Sequence, residues 1–264
     1  MSNSSFVAAE EHKVKHLSKI FSWIRVSFVS VTIESPFLWS RLRGHNPRAD
    51  LAGPYHIVAA PTRGTGDGKV VMATTSELKS FTPFLLVFTI KDHEGNPVSN
   101  AQADWWQADT AGTYYHSTYA LRGKFVTDAE GRAEVLTVSP GAYGPAGQIR
   151  AGHFHVIITP PGRKSQQLIT QMYVCRANDP TELQTDILNR YRGPRPQNVL
   201  QCWCTASDSG GFMDLPTLPA EEVKIAAKVE EWNKRLGALD SSLHVVAVAQ
   251  TEVQLSARSH LFSI

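Results

Sequence analysis

The stretch Pro83-Phe84-Leu85-Leu86-Val87-Phe88-Thr89-Ile90-Lys91, followed by Asp92-His93-Glu94-Gly95-Asn96-Pro97, decides the fold class. Its apolar residues are β-branched, aromatic or leucine, the composition of a strand. Leu85, Val87 and Thr89 point to one side of such a strand, Leu86 and Phe88 to the other. Both sides are apolar, so the strand belongs in the interior of a sheet. The polar run after Lys91 ends it in a turn, with Gly95 where a hairpin needs positive φ.

The same texture spreads outward from this strand. Short runs of the same kind, bounded by Gly, Pro, Asn and Asp, occupy 69–74, 101–107, 123–127, 132–138, 153–159 and 167–174, and Asp128-Ala-Glu-Gly131 marks a second turn. Seven short strands with such joints predict a mainly β protein built as a β-sandwich, whose inner faces bury alternate residues. On the N-terminal side, Val14, Leu17, Ile20, Phe21, Ile24 and Phe28 recur at three- and four-residue steps after Glu10-Glu11. That spacing predicts an amphipathic docking helix with negative charge at its start. Residues 31–52, broken by Pro36, Gly44 and Pro47, read as an irregular connector. On the C-terminal side, residues 220–237 read as a helical extension stopped by Gly237, and 243–255 as a last strand. The expected division is 1–52, helix and connector, and 53–264, sandwich with its C-terminal helix.

Composition narrows the function. With 264 residues, 42% of them hydrophobic, the chain is long enough for a full core. Lys and Arg (26) nearly cancel Asp and Glu (24), leaving +2, too little to gather nucleic acid by charge. The apolar run 20–33 is interrupted by Arg25 and falls short of the roughly 20 residues that span a bilayer, so no membrane span is expected. Cys175, Cys202 and Cys204 are too few for a disulfide framework, which favours a reducing, cytoplasmic setting.

The chemistry concentrates in Arg150-Ala-Gly-His153-Phe-His155-Val-Ile-Ile158. Residues two apart share a face of a strand, so His153 and His155 present paired imidazoles suited to one metal ion. The competing reading is a solvent-facing polar strand that happens to hold two histidines. No Asp or Glu lies between Glu134 and Asp179, so the other nearby donors are phenols: Tyr114 and Tyr115 in Gly112-Thr-Tyr-Tyr-His116, and Tyr143 in Pro140-Gly-Ala-Tyr-Gly144. Phenolates are hard anionic donors that favour ferric iron.

Taken in order, Gly53-Pro-Tyr55, Gly95-Asn-Pro-Val98, Asp104-Trp-Trp-Gln107-Ala-Asp109, Gly112-Thr-Tyr114, Leu121-Arg-Gly-Lys-Phe125-Val-Thr-Asp128-Ala-Glu-Gly131, Pro140-Gly-Ala-Tyr143, Arg150-Ala-Gly-His153-Phe-His155 and Thr170-Gln171 resemble the intradiol ring-cleavage dioxygenases of the catechol and hydroxyquinol 1,2-dioxygenase type. The resemblance covers about residues 53–180. It implies one non-haem Fe(III) per chain held by Tyr114, Tyr143, His153 and His155, with Tyr143 as the ligand that leaves when substrate binds. It further implies that Arg150 stabilises negative charge on the ring, that Gln171 stands beside the oxygen-handling face, and that Tyr55 lines the substrate pocket. The implied partners are a small aromatic diol and O2, and the implied reaction cuts between the two hydroxyl-bearing carbons to a muconate-type diacid. The N-terminal helix resembles the dimerisation segment of relatives, so a homodimer is expected.

Some features depart from the family pattern. Tyr115 follows Tyr114 where relatives usually carry Ser, leaving the first phenol ligand open by one residue; the offset from Gly112 favours Tyr114. Gln107 replaces a common His, and residues 197–218 insert a segment where relatives have a short tail. Two other readings stand beside the enzyme: a non-catalytic β-sandwich binding module, and a pocket reused for lyase or isomerase chemistry on a bulky phenol.

Overall fold

Two sheets face each other in the computed structural model, which describes residues 9–31, 46–162, 164–205 and 211–258. The first holds β1 (Gly64–Gly66), β2 (Lys69–Val71), β3 (Pro83–Lys91), β6 (Arg132–Val138), β9 (Gln201–Cys204) and β10 (Ala247–Gln254). Its order is β1-β2-β6-β3-β10-β9. The second holds β4 (Gln102–Gln107), β5 (Arg122–Val126), β7 (His153–Thr159) and β8 (Leu168–Tyr173), in the order β5-β4-β7-β8.

β3 lies inside the first sheet, between β6 and β10, as its two-sided apolar sequence requires. Phe84, Leu86, Phe88 and Ile90 face the second sheet and share one core with Trp105, Phe125, Phe154 and Val156. Leu85 and Val87 face the other way, onto α4 (Val223–Leu239), through Ile225, Val229, Trp232 and Leu236. Trp232 also donates from Nε1 to Glu134 Oε2 at 2.9 Å, so the helix is pinned by a buried polar contact as well as by apolar area. Both predicted turns form, with Gly95 at φ +88° and Gly131 at φ +69°.

Alternation in the second sheet separates core from site. On β7 the even residues Phe154, Val156 and Ile158 enter the sandwich, whereas His153, His155 and Ile157 project from its outer face. β8 does the same: Leu168 and Met172 point inward, Gln171 and Tyr173 outward. Gln107, at the end of β4, takes a structural role between the sheets. It accepts from Trp105 Nε1 (3.0 Å) and Thr137 Oγ1 (2.7 Å) and donates to the carbonyls of Ala108 and Val138.

Several expectations need correction. α1 (His16–Val31) starts beyond the Glu10-Glu11 pair and has no acidic residue in its first turn. It docks by its polar side, while Leu17, Phe21, Ile24 and Phe28 are exposed. The reason lies in the segment it meets: Val58 N–H donates to Ser22 Oγ (2.9 Å) and Arg25 donates to His56 Nδ1 (2.8 Å), so the covered surface needs polar partners. Within the connector, 32–45 lie outside the described residues. α4 runs through Gly237 to Leu239 because nothing crowds the glycine and the helix hydrogen bonds continue past it. The 197–218 insertion supplies an edge strand, β9, that pairs with β10; residues 206–210 of it lie outside the described set. A short helix, α2 (Thr75–Ser80), stands between β2 and β3, where Thr74 and Glu77 form a reciprocal cap at its start. Among the described residues no helix is long and apolar enough to cross a membrane.

Candidate active site

The outer face of β7 carries the two histidines, each about 1% exposed, which excludes the solvent-facing reading. Their Nε2 atoms approach to 2.9 Å. His153 Nδ1 donates to the Ala151 carbonyl at 2.6 Å, so its Nε2 presents a lone pair. Burial pushes His153 down to about 3, and burial with the neighbouring His153 holds His155 well below the ordinary range. Both rings are therefore neutral at pH 7, the form that ligates metals. Trp106 stacks on His155 with ring centres 4.7 Å apart and 8° between planes, fixing the ring's orientation.

The phenols reach this face from two loops that touch backbone to backbone. A Cβ on Gly112 would lie 2.3 Å from the Ala142 carbonyl oxygen, and one on Gly141 would lie 2.2 Å from that of Thr110. Only glycine allows this approach, and each glycine stands two residues before a tyrosine of the site. Tyr114 and Tyr143 meet edge to face at 5.1 Å, with Tyr114 6.5 Å from His155 and Tyr143 5.7 Å from His153 between ring centres. Tyr115 turns away, donating to Asp109 Oδ2 at 2.7 Å, so Tyr114 is the phenol that joins the histidines. Among the described residues the Tyr114 hydroxyl has no well-aligned hydrogen-bond partner, although it is buried. Burial, then the Tyr143 phenol, raises its pKa well above the ordinary value, and burial raises Tyr143 too, an effect that Arg150 offsets only in part.

Arg150 is held on three sides. Nε donates to Asp186 Oδ2 (2.9 Å), and Nη2 to Gln171 Oε1 (2.6 Å) and the Tyr173 hydroxyl (3.4 Å), leaving Nη1 facing the Tyr143 hydroxyl at 3.5 Å. Against burial, the Tyr173 and Tyr143 phenols and Asp186 keep the guanidinium charged. Gln171 is locked in turn, donating to the Leu51 carbonyl at 2.7 Å. Behind it Tyr173 meets a second buried ion pair, Arg192 with Asp50 at 2.6 Å. Tyr173 was legible as the next outward residue after Gln171. Asp186, which caps α3 (Ile187–Arg192), and the Asp50–Arg192 pair were not, because no local pattern announces contacts so distant in sequence.

Tyr55 closes the site. Its ring stacks on Tyr114 at 4.3 Å and meets Tyr143 edge-on at 5.9 Å. It also lines a cavity of about 280 Å³ with Trp23, Val26, Pro54, Ile57 and His116. A larger cavity of about 570 Å³, between the β1–β2 hairpin and β5, touches none of the site residues.

Among the described residues no three His, Cys, Asp or Glu side chains gather around a metal position. The convergent set is two imidazoles and two phenols. Neutral buried ring nitrogens and a buried hydroxyl lacking a well-aligned partner are donors that a hard, highly charged cation would satisfy, so these four residues fit a ferric ion.

The family model described as Dioxygenase matches residues 51–201. The catechol 1,2-dioxygenase of Candida albicans is 30% identical over 143 residues, 47% of this chain and 45% of that protein. The hydroxyquinol 1,2-dioxygenase of Nocardioides simplex is 27% identical over 150 residues, 50% of this chain and 48% of that one. The chain thus spans about half the length of these curated relatives. Among solved structures, 3-chlorocatechol 1,2-dioxygenase from Rhodococcus opacus 1CP superposes with a TM-score of 0.59 at 19% identity, covering 91% of this chain and 86% of that one. The dioxygenase domain of a carbohydrate-binding fusion from Streptomyces sp. SirexAA-E gives 0.52 at 21% identity, covering 80% and 99%. These likenesses establish the shared sandwich, and the match over more than half of the sequence places the chain in the intradiol ring-cleavage dioxygenase family.

Proposed function

We propose that the protein is a non-haem Fe(III) intradiol dioxygenase that opens a catechol-type ortho-diphenol between its hydroxyl-bearing carbons, with both atoms of O2 entering a muconate-type diacid. The observation that carries this reading is the convergence of Tyr114, Tyr143, His153 and His155 on one buried point. When bound there, the ferric ion acts as a Lewis acid that acidifies a vicinal diol and draws electron density from its ring. The chain's residues do the rest.

Tyr143 Oη accepts one hydroxyl proton of the diol; burial raises its pKa, which makes it the stronger base, and the adjacent Arg150 charge partly offsets that by favouring the phenolate form. Arg150 offers Nη1, the arm held only by the long contact to the Tyr143 hydroxyl, to negative charge developing on the ring. A preorganised donor of this kind is worth about 3 kcal/mol of barrier. Gln171 keeps that arm aimed, and Tyr55 guides the ring from the cavity beside α1 to the donor set while excluding water.

Oxygen uptake with a panel of catechol, hydroxyquinol, protocatechuate and larger catechols tests the reading. The expected product is a new dicarboxylate heavier than its substrate by two oxygen atoms. Turnover without oxygen uptake would instead support the lyase or isomerase reading, and an iron-loaded protein that consumes no oxygen with any diol would overturn the proposal. The exposed apolar stripe of α1 supports a homodimer, which sedimentation showing only monomer at micromolar concentration would reject. Three free, buried thiols support a reducing, cytoplasmic setting.

Acid should weaken the metal-free protein. The native chain holds His153 and His155, and His56 as well, in neutral form, whereas the unfolded chain takes up protons at the ordinary histidine pKa. The unfolded state therefore binds more protons, and stability falls as pH drops below about 6.5, by up to about 1.4 kcal/mol per pH unit for each ring, with the His153 contribution continuing down to about 3. Urea midpoints at pH 7 and pH 5 measure the loss.

A further inference from the structure

Of the motifs in the chain, Leu121–Gly131 is left without a part in the proposed reaction, and its Arg122 occupies an unusual position. The side chain is about 1% exposed at the start of β5. Nη1 donates to the Tyr55 carbonyl at 2.5 Å and Nη2 to the Tyr115 carbonyl at 3.1 Å, while Nε is buried without a hydrogen-bond partner among the described residues. The guanidinium carbon stands 5.8 Å from the centre of the Tyr114 ring. Both other buried arginines beside the site have carboxylates: Arg150 has Asp186 and Arg192 has Asp50. Among the described residues Arg122 forms no ion pair with a carboxylate; Asp104 acts on its charge only from beyond ion-pair distance, and less than Tyr114 does. Burial pulls its pKa down only to about 10, so the charge persists at neutral pH.

A buried cation without an anionic partner is unfavourable, and so is a buried phenolate without a cation. The two needs meet at Tyr114. As a neutral phenol it offers Arg122 only the electron-rich face of its ring; as a phenolate it offers a full negative charge. The same guanidinium bridges the loop carrying Tyr55 and the loop carrying Tyr114, so the stacked pair of rings and the charge beside them form one unit.

We propose that Arg122 is a positioning residue that balances the charge of the Tyr114 phenolate and thereby sets how strongly that phenolate donates to a bound ferric ion. This rests on the function proposed above. A nearby cation lowers the energy of the phenolate's electrons, so moving one toward Fe(III) takes more light energy. Loss of the cation should shift the phenolate-to-iron absorption band to longer wavelength and make the ferric ion harder to reduce.

Iron-loaded Arg122→Lys and Arg122→Met separate charge from scaffolding. Neither reproduces the fork that holds two carbonyls, but lysine keeps the charge. The expected result is a band at the wild-type position in Arg122→Lys, and a band at longer wavelength with a lowered reduction potential in Arg122→Met. Thermal midpoints of the two metal-free variants should fall together, since both lose the clamp. If Arg122→Met does not fold, Arg122→Gln makes the same neutral comparison. Bands that move equally in lysine and neutral variants, or in neither, overturn the assignment while leaving the iron reading intact. A wild-type protein that stays colourless after iron loading overturns both.

Discussion

Replacing His153 or His155 by alanine is expected to weaken iron binding by more than about 100-fold, since even the hydrogen-bond partners of metal ligands are commonly worth 10–100-fold. Bound iron, visible colour and oxygen uptake should disappear together, measured by iron content per chain, absorption spectrum and an oxygen electrode. Each ring is neutral before the metal arrives, so no proton has to be displaced from it at pH 7. Two phenols and one imidazole would have to hold the ion, and the His153–His155 contact that now aligns both nitrogens would be gone. Circular dichroism of the metal-free variants should still show the sandwich, because the even residues of β7 and not the histidines enter the main core. Full iron content in either variant would overturn the ligand assignment.

Asp186→Ala is the second large effect, and it acts from outside the donor set. The carboxylate is fully buried and accepts from Arg150 Nε, Ala151 N–H and Asn189 N–H, each at 2.9 Å. Although burial alone would raise its pKa, Arg150 and these donors hold it below the ordinary value. Removing it leaves the Arg150 charge buried and short of a partner, a change that costs about 3–5 kcal/mol of stability. It also frees the guanidinium to turn away from Tyr143, so kcat/KM should drop by about 100-fold or more, the scale of one misplaced charge-stabilising donor. Urea denaturation and steady-state kinetics read the two effects separately. Asp186→Asn, which keeps an acceptor but not the charge, should fall between wild type and alanine in both. Wild-type kinetics in Asp186→Ala would show that the pair does not aim Arg150.

Much of the sandwich was readable from the chain because its signals are local. β3, β6 and β7 begin and end where alternation and turn residues place them, at 83–91, 132–138 and 153–159. The site was readable where it follows alternation along β7 and β8, or the Gly-x-Tyr spacing of the two phenol loops. Orientation and distance were less accessible. Periodicity shows that α1 has an apolar stripe, but which face the body covers depends on the polar needs of residues 54–58. The choice between Tyr114 and Tyr115 depends on Asp109, which captures the second hydroxyl and leaves the first for the histidines. Asp186 reaches Arg150 and Ala151, just ahead of β7, from 36 and 35 positions away, and β9 lies in a segment that lacks a clear strand pattern.

The pairing of β10 with β3 also bears on how the chain is made. Phe84 pairs with Ala247, and β10 fills the space between β3 and β9. During synthesis the most apolar strand must therefore leave the ribosome with one flank open, and it stays so until β10, more than 150 residues further along, has been translated. Contacts spanning so much sequence form late and slowly. The nascent protein is accordingly most vulnerable to aggregation at that flank, and overexpression should benefit from cooler growth or added chaperones.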